Sequence, residues 1–191
     1  MKELILSNLN SKNFKQENTE KKIISLFSSN SMTGFKRLYF NNFKISNSTL
    51  TNILNNNFSS IQKIELKYCS LLSNNIGAIF NDFIYLESID LSYTNILSFY
   101  WGITGYLNIP SLKKLILKNC KNISIVEIKS KYFEYLDIKG CENIESIICI
   151  CENLKFLNIS EKHEKLKKLK FNIKENTPSN FIFNYDINYS D

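Results

Sequence analysis

Five cysteines and one histidine are the side chains in this sequence with the greatest potential for chemistry. A thiol beside an imidazole can act as a nucleophile, and thiols together with histidine can hold zinc. Cys149 and Cys151 are separated by one residue, whereas zinc sites use pairs separated by two to four residues plus two further ligands. The histidine, His163, lies in a lysine-rich segment with Glu161 and Glu164, which is poorly suited to exclude water. We therefore predict no metal, no cofactor and no catalytic Cys–His pair.

The other three cysteines, Cys69, Cys120 and Cys141, each follow a run of alternating apolar residues at the same distance. Such a position suits a small buried side chain, so we expect these thiols to pack as reduced, apolar groups. Cys120 and Cys141 fall in consecutive runs, and a disulfide between them is the alternative. Reduced thiols are favoured because no secretory signal is visible in the first residues.

Paired carboxylates offer a second kind of chemistry, since two of them can divide the roles of general acid and general base. Glu65 and Asp90 occupy equivalent positions in neighbouring runs, and this regular spacing explains them without catalysis. The sequence contains no phosphate-binding glycine loop, no G-x-S-x-G and no H-E-x-x-H. We therefore predict that the protein is not an enzyme.

The elements that position these side chains follow from a repeated spacing, in which an apolar residue is followed three and five positions later by two more. The steps between successive starting residues are 34, 26, 25, 26, 21 and 21 residues, and an incomplete eighth motif begins 12 residues further on. A step of about 20 to 29 residues is typical of stacked units that each contain one strand and a return. The motifs are Met1-Leu4-Leu6, Phe35-Leu38-Phe40, Ile61-Ile64-Leu66, Leu86-Ile89-Leu91, Leu112-Leu115-Leu117, Phe133-Leu136-Ile138, Leu154-Leu157-Ile159 and the incomplete Leu166-Leu169-Phe171.

The returns between these strands differ along the chain. Apolar residues at helical spacing predict helical returns in segments 18–27, 48–54 and 73–83, and less clearly in 99–107. Beyond residue 112 only 21 residues separate successive strands, and the segments 123–128 and 144–150 alternate with period two. We therefore expect short extended returns there. The same period in residues 181–189 predicts a closing strand.

These repeats resemble those of leucine-rich repeat proteins. Segments 61–72, 112–123 and 133–144 carry the cysteine-containing variant L-x-x-L-x-L-x-x-C-x-x-I/L, which is similar to the repeats of F-box-type substrate adaptors, although no F-box is present in this chain. The resemblance implies an α/β solenoid with a parallel sheet on its concave side. Helices would lie on the convex side in the N-terminal half and extended returns in the C-terminal half. We expect a repeat domain of about seven to eight repeats over residues 1–173 and a capping strand or tail over 174–191.

The resemblance also implies a binding surface, because the outward residues of successive strands would form rows on the concave face. Several of these residues are aromatic or apolar and are surrounded by charge, which is typical of the anchors of protein interfaces. We expect Ile116, Tyr135 and Phe156 to form an apolar patch there. The predicted partner-binding residues are Tyr39, Lys63, Glu65, Asp90, Lys114, Ile116, Tyr135, Asp137 and Phe156.

A basic segment near the C-terminus provides an alternative. Lys165, Lys167, Lys168 and Lys170 form a possible anion-binding group in a chain with a net charge of +6. Our leading prediction is a non-catalytic protein-binding module, such as a substrate-recognition or regulatory subunit. The alternative is a structural subunit of a ribonucleoprotein or organelle assembly that is held through these lysines, with nucleic acid as the less favoured partner. We expect no membrane span and a cytoplasmic location, with the nucleus and secretion into a host as alternatives, and the oligomeric state is left open.

Overall fold

The computed structural model of the chain describes residues 2–7, 25, 33–71, 75–80, 83–100, 107–160, 165–172 and 182–186. In 107–108, 169–172 and 182–186 the description is of the backbone. Apart from residue 25, which is helical, these ranges contain one α-helix, one 3₁₀ helix and fifteen strands. The strands are β1 (Glu3–Ser7), β2 (Arg37–Asn41), β3 (Lys44–Ile45), β4 (Lys63–Lys67), β5 (Ser70–Leu71), β6 (Ser88–Asp90), β7 (Ser98–Phe99), β8 (Leu107–Asn108), β9 (Lys114–Ile116), β10 (Ile125–Lys129), β11 (Tyr135–Asp137), β12 (Ser146–Ile150), β13 (Phe156–Ser160), β14 (Lys168–Asn172) and β15 (Ile182–Asp186).

An eight-stranded sheet is formed by the strands of the repeated motif together with β15, in the order β1-β2-β4-β6-β9-β11-β13-β15. All pairs in it are parallel, which confirms the predicted α/β class with a parallel sheet. Equivalent motif positions pair with one another, so that Leu115, Leu136 and Leu157 lie opposite each other and are fully buried. Alternation along each strand therefore sends one row of side chains inward and the next outward.

A second sheet is formed by the returns of the C-terminal half. The segments that are predicted to be extended form β10 and β12, which pair in parallel with each other and with β7 and β14 in the order β14-β12-β10-β7, while β8 also pairs with β10. Inward residues of both sheets belong to one buried cluster, for example Leu136 of the first sheet with Val126 and Ile147 of the second. The core therefore lies between the two sheets.

The returns of the N-terminal half contain the helices. Helix α1 (Asn47–Asn55) contains the segment 48–54. The N-cap is Ser46, because the Ser46 Oγ accepts a hydrogen bond from the Thr49 N–H at 3.2 Å. Of the other segments with helical spacing, 18–27 is outside the described residues apart from residue 25, and most of 99–107 is outside them as well.

The return after β4 differs from the expected α-helix, because it contains a 3₁₀ helix over Gly77–Phe80. Asn75 ties this return to the next one, accepting from the Gly77 N–H at 3.1 Å and donating to the Tyr100 carbonyl at 2.8 Å. A Cβ atom on Gly77 would lie 2.7 Å from the Tyr100 nitrogen, so the backbones approach too closely for a larger residue. No helix in the described part of the chain has the length and hydropathy needed to cross a membrane.

The incomplete eighth motif, Leu166-Leu169-Phe171, does not add a strand to the eight-stranded sheet. Its strand β14 pairs with β12 in the second sheet, with Leu169 opposite Ile147. A parallel crossover needs about a dozen or more residues, and seven residues separate Ser160 from Lys168. The place beside β13 is taken instead by β15, where Phe183 lies opposite Leu157.

Candidate functional site

The outer face of the eight-stranded sheet, meaning the side that points away from the core, carries all nine residues that the sequence analysis predicts to bind a partner. They lie in two rows that run across the strands, because parallel register places equivalent residues side by side. The first row consists of Arg37, Lys63, Ser88, Lys114, Tyr135 and Phe156. The second row consists of Tyr39, Glu65, Asp90, Ile116, Asp137 and Asn158.

A chain of ion pairs joins the two rows in the N-terminal half. Lys63 Nζ lies 2.6 Å from Glu65 Oε1, and Lys67 Nζ bridges Glu65 Oε2 at 3.1 Å and Asp90 Oδ2 at 3.0 Å. Burial works to raise the pKa of the Glu65 carboxyl, but hydrogen bonds from Lys63 and Lys67 outweigh it and lower that pKa below its usual value. For Lys67, burial works to lower the pKa, and the carboxylates of Asp90 and Glu65 raise it overall.

The two aspartates of the second row are more buried than their predicted role suggests. Asp90 is 4% exposed and Asp137 is 7% exposed. Asp90 accepts hydrogen bonds from the backbone N–H and the hydroxyl of Ser92, and Asp137 accepts from the Lys139 N–H at 3.1 Å. Both carboxylates therefore fix the turn that follows their strand. They can support a binding surface, but they offer little of their own area to a partner.

An aromatic stack dominates the C-terminal half of the outer face. The rings of Tyr135 and Phe156 are 4.4 Å apart between centroids and 4° from parallel, and Lys114 Nζ lies 4.3 Å from the Tyr135 ring centre on the neighbouring strand. Burial, followed by the nearby charge of Asp137, raises the pKa of the Tyr135 hydroxyl. Ile116 is half-buried one row away, between Asp90 and Asp137. The face thus combines apolar and cationic groups that are only partly covered.

A cavity of about 450 Å³ opens at the other end of the sheet. Tyr39 lies in its wall, with Lys63 Nζ 5.5 Å from the ring centre, and Ile5 of the neighbouring strand is 67% exposed. The ion pair between Glu65 and Lys67 closes one side. The lining residues are Glu3, Ile5, Leu6, Ser7, Tyr39, Phe40, Asn41, Glu65 and Lys67.

A second aromatic pair, Tyr68 and Tyr93, lies just beyond the strands and is not among the predicted site residues. Their rings are 4.4 Å apart and 13° from parallel, and the residues are 53% and 40% exposed. Both occupy the second position after the repeated apolar triplet, where the equivalent residues are Asn42, Asn119 and Gly140. The exchange of small turn-forming residues for tyrosine in two consecutive repeats is the sequence signal that identifies them.

The cysteines are buried and free, as the sequence analysis predicts for Cys69, Cys120 and Cys141. The Cys120 and Cys141 thiols donate to the carbonyls of Leu91 and Leu117, at 3.0 and 2.9 Å, and so connect successive strand ends. Burial raises the pKa of the Cys69 thiol to about 11 and raises that of Cys141 further. Burial therefore disfavours the thiolate, which is the form in which a cysteine acts as a nucleophile.

The pair Cys149 and Cys151 is buried as well, and burial raises the pKa of the Cys151 thiol to about 11. Within the described ranges, no three side chains of His, Cys, Asp and Glu lie close enough to hold a metal ion. His163 lies outside the described residues.

The lysines of the predicted anion-binding group are partly engaged by neighbours. Lys165 donates to the Asn143 side chain, and Lys167 Nζ lies 3.9 Å from Glu145 Oε2. Lys168 is exposed, and the Lys170 side chain lies outside the described part of the chain.

Comparisons of the chain with protein-family models, with curated proteins and with solved structures found no match.

Proposed function

We propose that the chain is a leucine-rich repeat solenoid that binds a partner protein, without catalysis, on the outer face of its eight-stranded sheet. The observation that supports this most strongly is the stack of Lys114, Tyr135 and Phe156 on that face. Parallel sheets in globular proteins normally have both faces covered. Here the rings are half-exposed, which suggests that a partner completes their burial.

The composition of the outer face matches the anchors of protein interfaces. Aromatic residues and partly buried cations are enriched at the centre of such interfaces, with polar residues around them. Ile116 adds an apolar group one row away, and the ion pairs of Glu65 with Lys63 and Lys67 limit the side-chain entropy that binding would cost. The cavity beside Tyr39 has room for one side chain of the partner. The surface therefore favours shape and charge complementarity as the binding mechanism.

The biological setting that we propose is an intracellular one, in which the chain acts as a substrate-recognition or regulatory subunit. Buried thiols and buried aspartates suit a scaffold better than an active site, because they hold strand ends together and are not presented to solvent.

Partner capture from native cells tests this proposal. The tagged protein and its Tyr135→Ala/Ile116→Asp variant would be compared by affinity purification and mass spectrometry. We expect the variant to lose the captured protein, since removing an interface anchor costs about 2 kcal/mol or more in binding. Tyr132→Ala is the matched control, because Tyr132 is 51% exposed but lies outside the two rows. Equal capture by the variant and the wild type would refute the proposal.

The second candidate is a structural subunit of a ribonucleoprotein or organelle assembly, and it is favoured by the exposure of Lys167 and Lys168. Reversal of Lys165, Lys167 and Lys168 to Glu should then release the protein from the assembly, and binding should weaken steeply as salt is raised. Retention of the assembly in the reversal variant would exclude this candidate without affecting the first.

A further inference from the structure

Five turns that follow strands of the eight-stranded sheet have a residue with a positive φ. The angles are 63° at Asn42, 54° at Tyr68, 61° at Tyr93, 56° at Asn119 and 77° at Gly140. Glycine and asparagine adopt this left-handed conformation readily, whereas a bulky residue does so at a cost. Such strain persists where the surrounding structure imposes it and is concentrated at functional sites.

The surrounding structure imposes the conformation here through backbone hydrogen bonds between successive turns. The Tyr68 N–H donates to the Ser92 carbonyl at 3.0 Å, and the Tyr93 N–H donates to the Lys118 carbonyl at 2.9 Å. Asn42 and Asn119 make the equivalent bonds to Lys67 and Lys139 without a large side chain. These hydrogen bonds thus explain the left-handed backbone of the turns, but they do not explain why tyrosine is present at two consecutive turns.

The stacking of the two tyrosines determines what they offer to a ligand. Because the rings lie 4.4 Å apart and nearly parallel, one face of each is turned toward the other ring, and the edges and hydroxyls of an exposed pair meet the solvent. The edge of an aromatic ring is electropositive and a hydroxyl can donate a hydrogen bond. The pair therefore favours an anionic group over an apolar one.

The row of residues beside the pair carries positive charge, whereas the nearby carboxylates of Glu65 and Asp90 belong to the strands and are bound by Lys67. The residues that directly precede the five turns are Asn41, Lys67, Ser92, Lys118 and Lys139, so this row contains three cations and no carboxylate. Lys67 is engaged with Glu65 and Asp90 but stays 40% exposed. Among the described residues, no carboxylate lies within ion-pair distance of Lys118, which is therefore available to a ligand.

We propose that Tyr68, Tyr93 and Lys118 form a docking site for an extended, acidic segment of a partner protein. Lys67 and Lys118 are two strands apart, which is about 10 Å at ordinary strand spacing. In an extended segment of the polyproline II type, which has three residues per turn, carboxylates three residues apart lie on the same side of the chain and are about 9 Å apart. Such a segment would run across the carboxyl ends of β4, β6 and β9, and its carboxylates would meet both lysines and the tyrosine edges.

Single-stranded nucleic acid is the main rival with negative charge, and the geometry disfavours it. Binding of single strands depends on bases that stack on open aromatic faces. Stacking covers one face of Tyr68 and one face of Tyr93, so each ring has a single face left for a base, and the single arginine of the chain, Arg37, is paired with Glu3 at 2.7 Å. The acidic peptide is therefore the occupant that these residues fit. The site uses none of the residues of the Tyr135 stack, so it can be tested independently of that stack, although it shares Lys67 with the ion pairs of the outer face.

Fluorescence polarisation with defined probes tests the site. The probe is a labelled nine-residue peptide with Glu at every third position and Ala and Pro between, and a peptide with Gln in place of Glu is its control. We expect the Glu peptide to bind at least tenfold more tightly than the Gln peptide. Tyr68→Asn/Tyr93→Asn and Lys118→Glu should each weaken binding at least tenfold. Asn is chosen because it tolerates the left-handed backbone, and circular dichroism would verify that each variant is folded.

Two further variants and one competitor make the result specific. Tyr132→Ala removes an equally exposed tyrosine with Lys131 Nζ 5.8 Å from its ring, and it should leave binding unchanged. Tyr135→Ala should also leave peptide binding unchanged, which separates this site from the outer face. A ten-nucleotide oligothymidylate should not displace the peptide. Undetectable binding of the Glu peptide, equal binding of the Gln peptide, equal binding by the tyrosine double variant, or displacement by the oligonucleotide would overturn the proposal.

Discussion

Two aromatic pairs with almost the same ring geometry occupy different parts of this protein. Tyr135 and Phe156 stack at 4.4 Å on extended strands, where they are half-buried and Lys114 lies over the Tyr135 ring. Tyr68 and Tyr93 stack at the same distance on left-handed turns, where they are exposed. The first pair follows from the parallel register, which places the two residues side by side. The second pair requires, in addition, a backbone conformation that tyrosine disfavours.

The difference shows how architecture and function separate in a chain with repeated strands. Cross-strand stacking is worth about 0.5–1.5 kcal/mol, so a pair on regular strands stabilises the fold at little cost. For a pair on left-handed turns, backbone strain costs about 1–2 kcal/mol per residue, and this cost cancels the stabilisation from stacking. The strand pair can therefore be retained for stability alone. The turn pair calls for another reason, and ligand binding supplies one.

The largest stability effect is expected from Gly140→Ala, which tests whether the turn row imposes the left-handed backbone. Gly140 has a φ of 77°, and a Cβ atom there would lie 2.1 Å from the Asn119 Oδ1. Strain and the displacement of Asn119 together should lower the free energy of unfolding by about 2–3 kcal/mol. Urea denaturation at neutral pH would measure it.

Gly34→Ala is the matched control, because Gly34 has a φ of 73° and open space around the position of a Cβ atom. Gly34→Ala should lower the free energy of unfolding by about 1 kcal/mol, because only the backbone conformation is strained. A loss at Gly140 no greater than that at Gly34 would mean that the row of turns does not constrain its residues.

The next effect distinguishes the two pairs by the same substitution. Tyr135→Asn removes the stack on Phe156 and the contact with Lys114 and places a poor strand former in β11, so it should cost about 1–3 kcal/mol. Tyr68→Asn also removes a stack, but it relieves the left-handed strain. We expect it to change the free energy of unfolding by less than about 1 kcal/mol. Denaturation curves of the two variants give the comparison.

An equal decrease in the free energy of unfolding of the two variants would show that the backbone of the turn tyrosines is not strained. The reason for attributing a binding role to them would then be removed, whereas the outer face would be unaffected.

The smallest effect on stability is expected from the ion pairs of Glu65 with Lys63 and Lys67. The Glu65 carboxyl has a pKa below its usual value in the folded state, so its contribution is present above the unfolded pKa, about 4.3, and is lost as the pH falls through the folded value. Glu65→Gln removes this contribution. The stability difference between wild type and variant should therefore be larger at pH 7 than at pH 3, as measured by denaturation at both values. A difference that grows on acidification would contradict the ion-pair assignment.

The sequence predicts the inner framework well because that framework depends on local alternation. The spacing of Leu115, Leu136 and Leu157 predicts a parallel sheet, and the structure places these residues opposite each other. The alternation in 123–128 and 144–150 predicts extended returns, but not that they pair into a second sheet. That pairing depends on the stacking distance that the first sheet imposes, which is a tertiary property.

The candidate site is less predictable, since its details depend on contacts between repeats. The outer rows follow from the same register, so Tyr135 and Phe156 are predicted to be close together. Their stacking and the burial of Asp90 depend on side-chain contacts with neighbouring strands. The left-handed tyrosines run against local preference, because hydrogen bonds from the next turn override it. Only the replacement of asparagine by tyrosine at equivalent positions marks them in the sequence.

Site-specific photocrosslinking tests the central claim, which is that the outer face of the eight-stranded sheet contacts a partner protein. A photoreactive phenylalanine analogue would replace Ile116 on the outer face or Ile84, which is 52% exposed elsewhere, in protein expressed in the native cell. We predict that irradiation attaches one discrete partner at position 116 and that Tyr135→Ala abolishes this product, while position 84 gives no such product. Crosslinking at position 84 with none at 116, or a product at 116 that persists with Tyr135→Ala, would contradict the account.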